Sequence, residues 1–182
     1  MLKTVHLDYD LSMIAKADHR VNEASAIATK MYHENSKFPK TYVPENTRIH
    51  QLWWTREQLD FESISKKLGI TVCTVSSIIL PPGCVIPLHQ DTFHKLRTQF
   101  PDHPGHMVRA VVYATEYDMG QCTQYLNDGR IHNSTDWKIG DGTIWDDQVP
   151  HVTVNGSMKD LCTVNFSGFI QDEDIAVYPI IF

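Results

Sequence analysis

The sequence predicts a mainly β protein with helices at its N-terminus. Three observations carry this. Apolar residues recur at helical spacing before Gly69. After Gly69 the chain breaks into short segments rich in Val, Ile, Thr, Tyr and Phe. Gly, Pro, Asn and Asp punctuate those segments. The helical part begins with residues 11–36, where Ile14, Ala17, Val21, Ala24, Ile27, Ala28 and Met31 form one apolar stripe. Pro39 and Pro44 then favour an extended link. Residues 55–69 read as a second helix, opened by Thr55 and Gln58 at capping-box spacing and closed by Lys66, Lys67 and Gly69. Strands are expected over 70–80, 84–91, 108–117, 121–126, 142–147, 150–155 and 160–169. Turns are expected at 127–129 and 139–142, and a hairpin at Asn155-Gly156. Strands this short and closely spaced suggest a sandwich or a barrel. The 92–107 stretch reads as a long loop of the kind that carries function.

The 182 residues suffice for one domain, with 1–69 expected to pack as a helical segment against a core formed by 70–182. A net charge of −6 with scattered Lys and Arg argues against nucleic acid as the main partner. The N-terminus lacks the apolar run of a signal peptide, and the longest apolar stretch, near 78–80, is too short to span a bilayer. The four cysteines are widely separated and form no CxxC pair, which predicts reduced core thiols in a cytoplasmic protein.

The sharpest local signal is "VIPLHQD" at 85–91. On a strand, residues i and i+2 share a side, so His89 and Asp91 project together. A lone His-x-Asp is common and needs a third ligand. Of the ten histidines, His151 stands out, because it opens a later strand behind Pro150. Two His and one carboxylate on one face of a metal leave open positions suited to Fe(II) oxygen chemistry. The bland alternative is a core His151 together with a surface His89 and a solvated Asp91.

With these residues in place, "HMVRAVVYATEYDMGQC" and "DWKIGDGTIWDDQVPHVTVN" resemble the aspartyl/asparaginyl β-hydroxylase family of Fe(II)/2-oxoglutarate dioxygenases. The matching positions are His89, Arg109, Trp137, Gly140-Asp141, Trp145-Asp146-Asp147, His151 and Asn155. The likeness spans about 85–169, roughly half the chain, and the N-terminal half matches no family pattern. It implies a double-stranded β-helix, the jelly-roll and cupin-like architecture. It also implies Fe(II), 2-oxoglutarate and molecular oxygen as the reactants that hydroxylate an unactivated C–H bond, on a free amino acid or a peptide side chain. The chain departs from the family in two places. Asp91 stands where the animal peptide hydroxylases have Gly. No Arg follows His151 to hold the far carboxylate of 2-oxoglutarate, which leaves Lys159 and Arg109 as rival cosubstrate contacts. Asp146 and Asp147 are left unassigned as ligands, and Trp145 is expected to pack in the core.

Substrate contacts are expected from the 92–107 loop, including His94 and Arg97, and from the adjacent Trp53 and Trp54. Arg48 and Lys95 are further cations that could meet a substrate carboxylate. Two rival readings stand beside the dioxygenase. One is a cupin-type metalloenzyme that does not use 2-oxoglutarate, although cupins usually carry a His-x-His where this chain has His-x-Asp. The other is a metal-free binding module that uses the barrel mouth.

Overall fold

A computed structural model describes residues 1–22 and 42–170. Fourteen elements follow in order: β1 (Leu2–His6), α1 (Ser12–Ala15), β2 (Arg20–Val21), β3 (His50–Trp54), α2 (Phe61–Leu68), β4 (Thr71–Leu80), β5 (Cys84–His89), α3 (His94–Gln99), β6 (His106–Tyr113), β7 (Gln121–Asn127), β8 (Arg130–Ser134), β9 (Asp141–Asp146), β10 (His151–Asn155) and β11 (Leu161–Ile170). They build a seven-stranded sheet, β1-β9-β6-β11-β4-β3-β2, and a four-stranded sheet, β5-β10-β7-β8. Every pairing is antiparallel. From β4 onward the chain passes between the two sheets at almost every step, which makes a double-stranded β-helix.

β11 shows how the sequence sets the layers. All ten of its residues are buried, so the strand is covered on both faces. Cys162, Val164 and Phe166 join the core formed with Ile14 of α1, Phe61, Ile64 and Leu68 of α2, and Val108, Ala110 and Val112 of β6. Burying each large aliphatic or aromatic side chain contributes roughly 1.5–3 kcal/mol. Thr163, Asn165 and Ser167 alternate with these and face the space between the sheets. The helices therefore seal the outer face of the large sheet, and its inner face stays polar. Gly168 marks the one bulge in the β4–β11 pairing, and a Cβ there would lie 1.8 Å from Thr71 O.

Several expectations shift. Among the described residues the first helix is only α1; Arg20 and Val21 instead pair with β3 as strand β2. Residues 23–41, which include the rest of that expected helix and Pro39, lie outside the described residues, as does the apolar C-terminal stretch. The second helix starts at Phe61. Asp60 is its cap and accepts from the Ser63 N–H at 3.0 Å, while Gln58 Oε1 accepts from the Thr55 N–H in a separate turn. Asp is a strong cap, and it sits directly before the apolar face of Phe61, Ile64 and Leu68. The C-terminal stop is as expected, with Gly69 at φ 69°. The 92–107 loop contains α3. β1, β3 and β8 were not anticipated; they are short strands of five residues each. The 127–129 turn does close the β7–β8 hairpin, with Asp128 and Gly129 both at positive φ.

Asn155-Gly156 does not form a hairpin. β10 pairs with β5 and β7, and the chain then crosses to the large sheet. Asn155 fastens that crossing. Its fully buried amide donates to Leu80 O at 2.7 Å and Lys159 O at 2.8 Å, and its oxygen accepts from Ser157 Oγ at 2.8 Å. All four cysteines are free thiols, with Cys84 and Cys162 buried. Among the described residues no helix is long and apolar enough to cross a membrane.

Asn155→Ala takes a buried donor from Leu80 O and the acceptor from the Ser157 N–H and hydroxyl, while Lys159 O keeps Gln121 Nε2 and Ser157 Oγ. Its unfolding free energy in urea is expected to fall by about 2 kcal/mol or more. The m-value should stay unchanged, as for a loss of stability within the same compact fold.

Candidate metal centre

β5 ends on His89, and β10 begins on His151, which is its cross-strand partner. The two imidazoles are 4.2 Å apart between centroids. Each is oriented in the same way. His89 Nδ1 lies 2.8 Å from Pro87 O, and His151 Nδ1 lies 3.0 Å from Val149 O. A carbonyl only accepts, so both Nδ1 atoms carry the proton and both Nε2 lone pairs are free for a ligand. Asp91 follows just past the strand end and is 7% exposed. His89, Asp91 and His151 each present one ligand atom, all within 4.8 Å of one another. This is the set that the spacing of the sequence predicted.

The carboxylate of Asp91 is held from both sides. Arg109 Nη1 donates to Oδ1, and Trp145 Nε1 donates to Oδ2 at 2.8 Å. Arg109 Nε also donates to Ser167 Oγ at 3.1 Å, and its guanidinium lies 5.3 Å from the Phe93 ring centroid. Burial alone would raise the Asp91 pKa. Arg109 above all, then His151, His89 and the Trp145 N–H, outweigh it and hold the group below the usual carboxylate range. Burial, helped by His89, brings His151 down to about 4 against the pull of Asp91. The donor set is therefore one ionised carboxylate, a His151 that burial holds neutral near pH 7, and a His89 turned by the same kind of backbone bond. A carboxylate with two imidazoles fits Fe(II).

The remaining predicted site residues separate clearly. Arg109 lies at the centre, on β6 opposite Trp145 and Ser167. Lys159 does not. It follows the far end of β10, roughly 13 Å along the strand from His151, and is 75% exposed with Nζ 3.4 Å from Asp118 Oδ1. His94 lines a cavity of about 240 Å³ that opens beside Asp91 and Arg109. Arg97 does not line it; this side chain donates to Asp147 Oδ2 at 2.7 Å and to Thr92 O at 3.0 Å, and so ties α3 to the β9–β10 loop. Trp54 faces away. It pairs with Val75, is buried in the helix-side core and donates to Ser77 Oγ at 2.8 Å. Its neighbour Trp53 is the one that lines the cavity, as strand alternation requires. Asp146 bonds the N-terminal amine and Asp147 bonds Arg97, so neither approaches the triad as a ligand. Sequence reasoning missed the bond from Trp145 to Asp91, although the inward parity of β9 carried the signal.

No protein-family model matches the sequence, and no curated protein matches it. Solved structures do. A Pseudomonas putida prolyl-4-hydroxylase is 16% identical, over 89% of this chain and 97% of its own, with a TM-score of 0.50. SnoK, a non-heme α-ketoglutarate-dependent carbocyclase from nogalamycin biosynthesis, is 10% identical over 98% and 87%, with a TM-score of 0.56. SnoN, an α-ketoglutarate-dependent epimerase from the same biosynthesis, is 11% identical over 93% and 76%, also at 0.56. At these identities the likeness establishes the double-stranded β-helix fold.

In the metal-free protein, His151 binds its proton less readily folded than unfolded. Between its ordinary 6.5 and about 4 the unfolded chain therefore holds more protons. Stability should be full above that window and fall as pH drops through it. The lowered Asp10, Asp91 and Asp141 act only lower, near their ordinary 3.8. Urea unfolding at pH 7 and pH 5 should show this slope in the wild type, and His151→Gln should flatten it.

Proposed function

We propose that the protein is an Fe(II)- and 2-oxoglutarate-dependent dioxygenase that hydroxylates an unactivated C–H bond of an amino acid or peptide side chain. The observation that carries this is the triad itself: two imidazoles with free Nε2 atoms and one carboxylate, on adjacent strands at the mouth of a double-stranded β-helix. Neighbours at TM-score 0.50 or above include a prolyl-4-hydroxylase and two α-ketoglutarate-dependent enzymes, which supports the reading. The narrower affiliation with the aspartyl/asparaginyl β-hydroxylases rests on the Trp145-Asp146-Asp147 to His151 stretch.

His89 Nε2, the Asp91 carboxylate and His151 Nε2 would hold the metal. When bound with 2-oxoglutarate, Fe(II) supplies the activation of molecular oxygen, with one oxygen atom entering the substrate and the other the succinate formed as CO2 leaves. The protein's own residues orient and balance charge. Trp145 and Arg109 fix Asp91 from opposite sides, so its ligand lone pairs keep one direction. A divalent metal with Asp91 and Arg109 leaves two positive charges in a buried site. The two carboxylates of 2-oxoglutarate match them. Of the two rival cations, the contact of Arg109 with Asp91 and the position of Lys159 at the far end of β10 support Arg109 for that role.

Anaerobic titration with Fe(II) and then 2-oxoglutarate should give a weak visible band that requires both, and that His151→Ala abolishes. Arg109→Met should weaken 2-oxoglutarate binding about 30-fold or more, the scale of a lost buried charge pair of roughly 2 kcal/mol or above. Lys159→Ala should leave it unchanged. Metal binding without any response to 2-oxoglutarate would favour a metalloenzyme of another kind. Failure to bind metal would favour a binding module.

A further inference from the structure

The cavity beside Asp91 holds two polar groups that the iron–cosubstrate reading does not use. The first is Asn165. It lies on the inner face of β11, opposite Ser76 of β4, and is 8% exposed. Its side-chain amide has no hydrogen-bond partner among the described residues, and it lines the cavity. The amide opens onto the cavity space, and its neighbours bond elsewhere: Ser76 Oγ accepts from Gln51 Nε2 at 3.1 Å, and Ser167 Oγ accepts from Arg109. The second is Lys95, on α3 at the cavity mouth. It forms no ion pair among the described residues, and its Nζ sits 3.1 Å from the Trp53 ring centroid. Asp91, the only acidic side chain lining the cavity among the described residues, is already engaged by Arg109 and Trp145.

A cation without a counter-ion at the rim and a donor-and-acceptor amide without a partner at the floor define complementary chemistry. The occupant carries a negative charge at one end and a hydrogen-bonding group at the other. Size narrows it further. The cavity of about 240 Å³ lies below the roughly 300–1,000 Å³ of sites for drug-sized ligands. With 2-oxoglutarate on Arg109 sharing this space, the part of the substrate held inside it is no larger than a single residue.

Resting on the dioxygenase reading, we infer that the substrate is a free carboxylic acid of single-amino-acid size, its carboxylate paired with Lys95 and its amine, amide or hydroxyl group bonded to Asn165. An internal residue of a peptide lacks the free main-chain carboxylate that Lys95 requires. Trp53 keeps Lys95 at the rim through its ring face until the acid takes it.

The test is anaerobic calorimetric titration of the Fe(II)- and 2-oxoglutarate-loaded protein with free L-amino acids and L-2-hydroxy acids, each compared with its own carboxamide. At least one free acid should bind, and its carboxamide should bind at least tenfold more weakly. Lys95→Met should bring acid and carboxamide to equal affinity while leaving 2-oxoglutarate affinity intact. Asn165→Leu, a change of similar size at the cavity wall, should weaken the acid about tenfold and keep the preference over the carboxamide. The inference is overturned if no acid binds, if acid and carboxamide bind alike, if the preference survives Lys95→Met, or if that variant loses 2-oxoglutarate instead. Failure of the dioxygenase reading would show separately, as no response to Fe(II) and 2-oxoglutarate before any acid is added.

Discussion

The site depends on keeping one carboxylate ionised while buried. Asp91 is nearly out of reach of solvent, and desolvation alone would drive it to the protonated form, a poor metal ligand. Arg109 and Trp145 prevent this, and each comes from a different strand of the large sheet. Their positions follow from ladder register: Arg109 faces Trp145 on one side and Ser167 on the other. A one-residue slip between β6 and its neighbours would turn Arg109 toward the helices and leave Asp91 uncompensated. The pairing of the large sheet is thus part of the candidate metal site, although the three candidate ligands sit on β5, β10 and the turn after β5.

Much of this was legible in the sequence because strand periodicity is strict. Pro150 marks the start of the strand that brings His151 opposite His89, and Asp91 meets them although β5 stops at His89, two residues short of the expected strand end. The seven expected strands are all present with ends shifted by a few residues. What the sequence left open was decided by long-range pairing. Lys159 looked close to His151 by count, but the chain leaves β10 at Asn155 and crosses to the other sheet, so the lysine ends far away. Trp53 and Trp54 are adjacent and chemically alike, and only the pairing of β3 with β4 decides which one faces inward. β1, β3 and β8 are short, mixed in polarity and close to sheet edges, where local pattern is weakest.

The segment after Asp91 shows how local strain and tertiary bonds combine. Phe93 adopts a left-handed backbone at φ 48°, unusual for a bulky residue. Its ring is buried with Leu96 and Phe169 and lies beside the Arg109 guanidinium. The packing of that ring offsets the backbone cost, which is of order 1–3 kcal/mol. Gln90 donates to Gln148 O at 3.0 Å, and Arg97 bonds Asp147, so both ends of the segment are tied to the β9–β10 loop. His94 and Lys95 therefore ride on a braced turn.

β11 divides its labour by parity. Even positions 162, 164 and 166 belong to the helix-side core, and odd positions 163, 165 and 167 face the interior between the sheets. A substitution at an odd position reshapes what the interior can accept and leaves the packing that stabilises the domain untouched. Within one strand, inheritance can revise chemical preference and conserve architecture as nearly independent traits. A barrel of this kind can thus diversify its ligands without first gaining stability to spare.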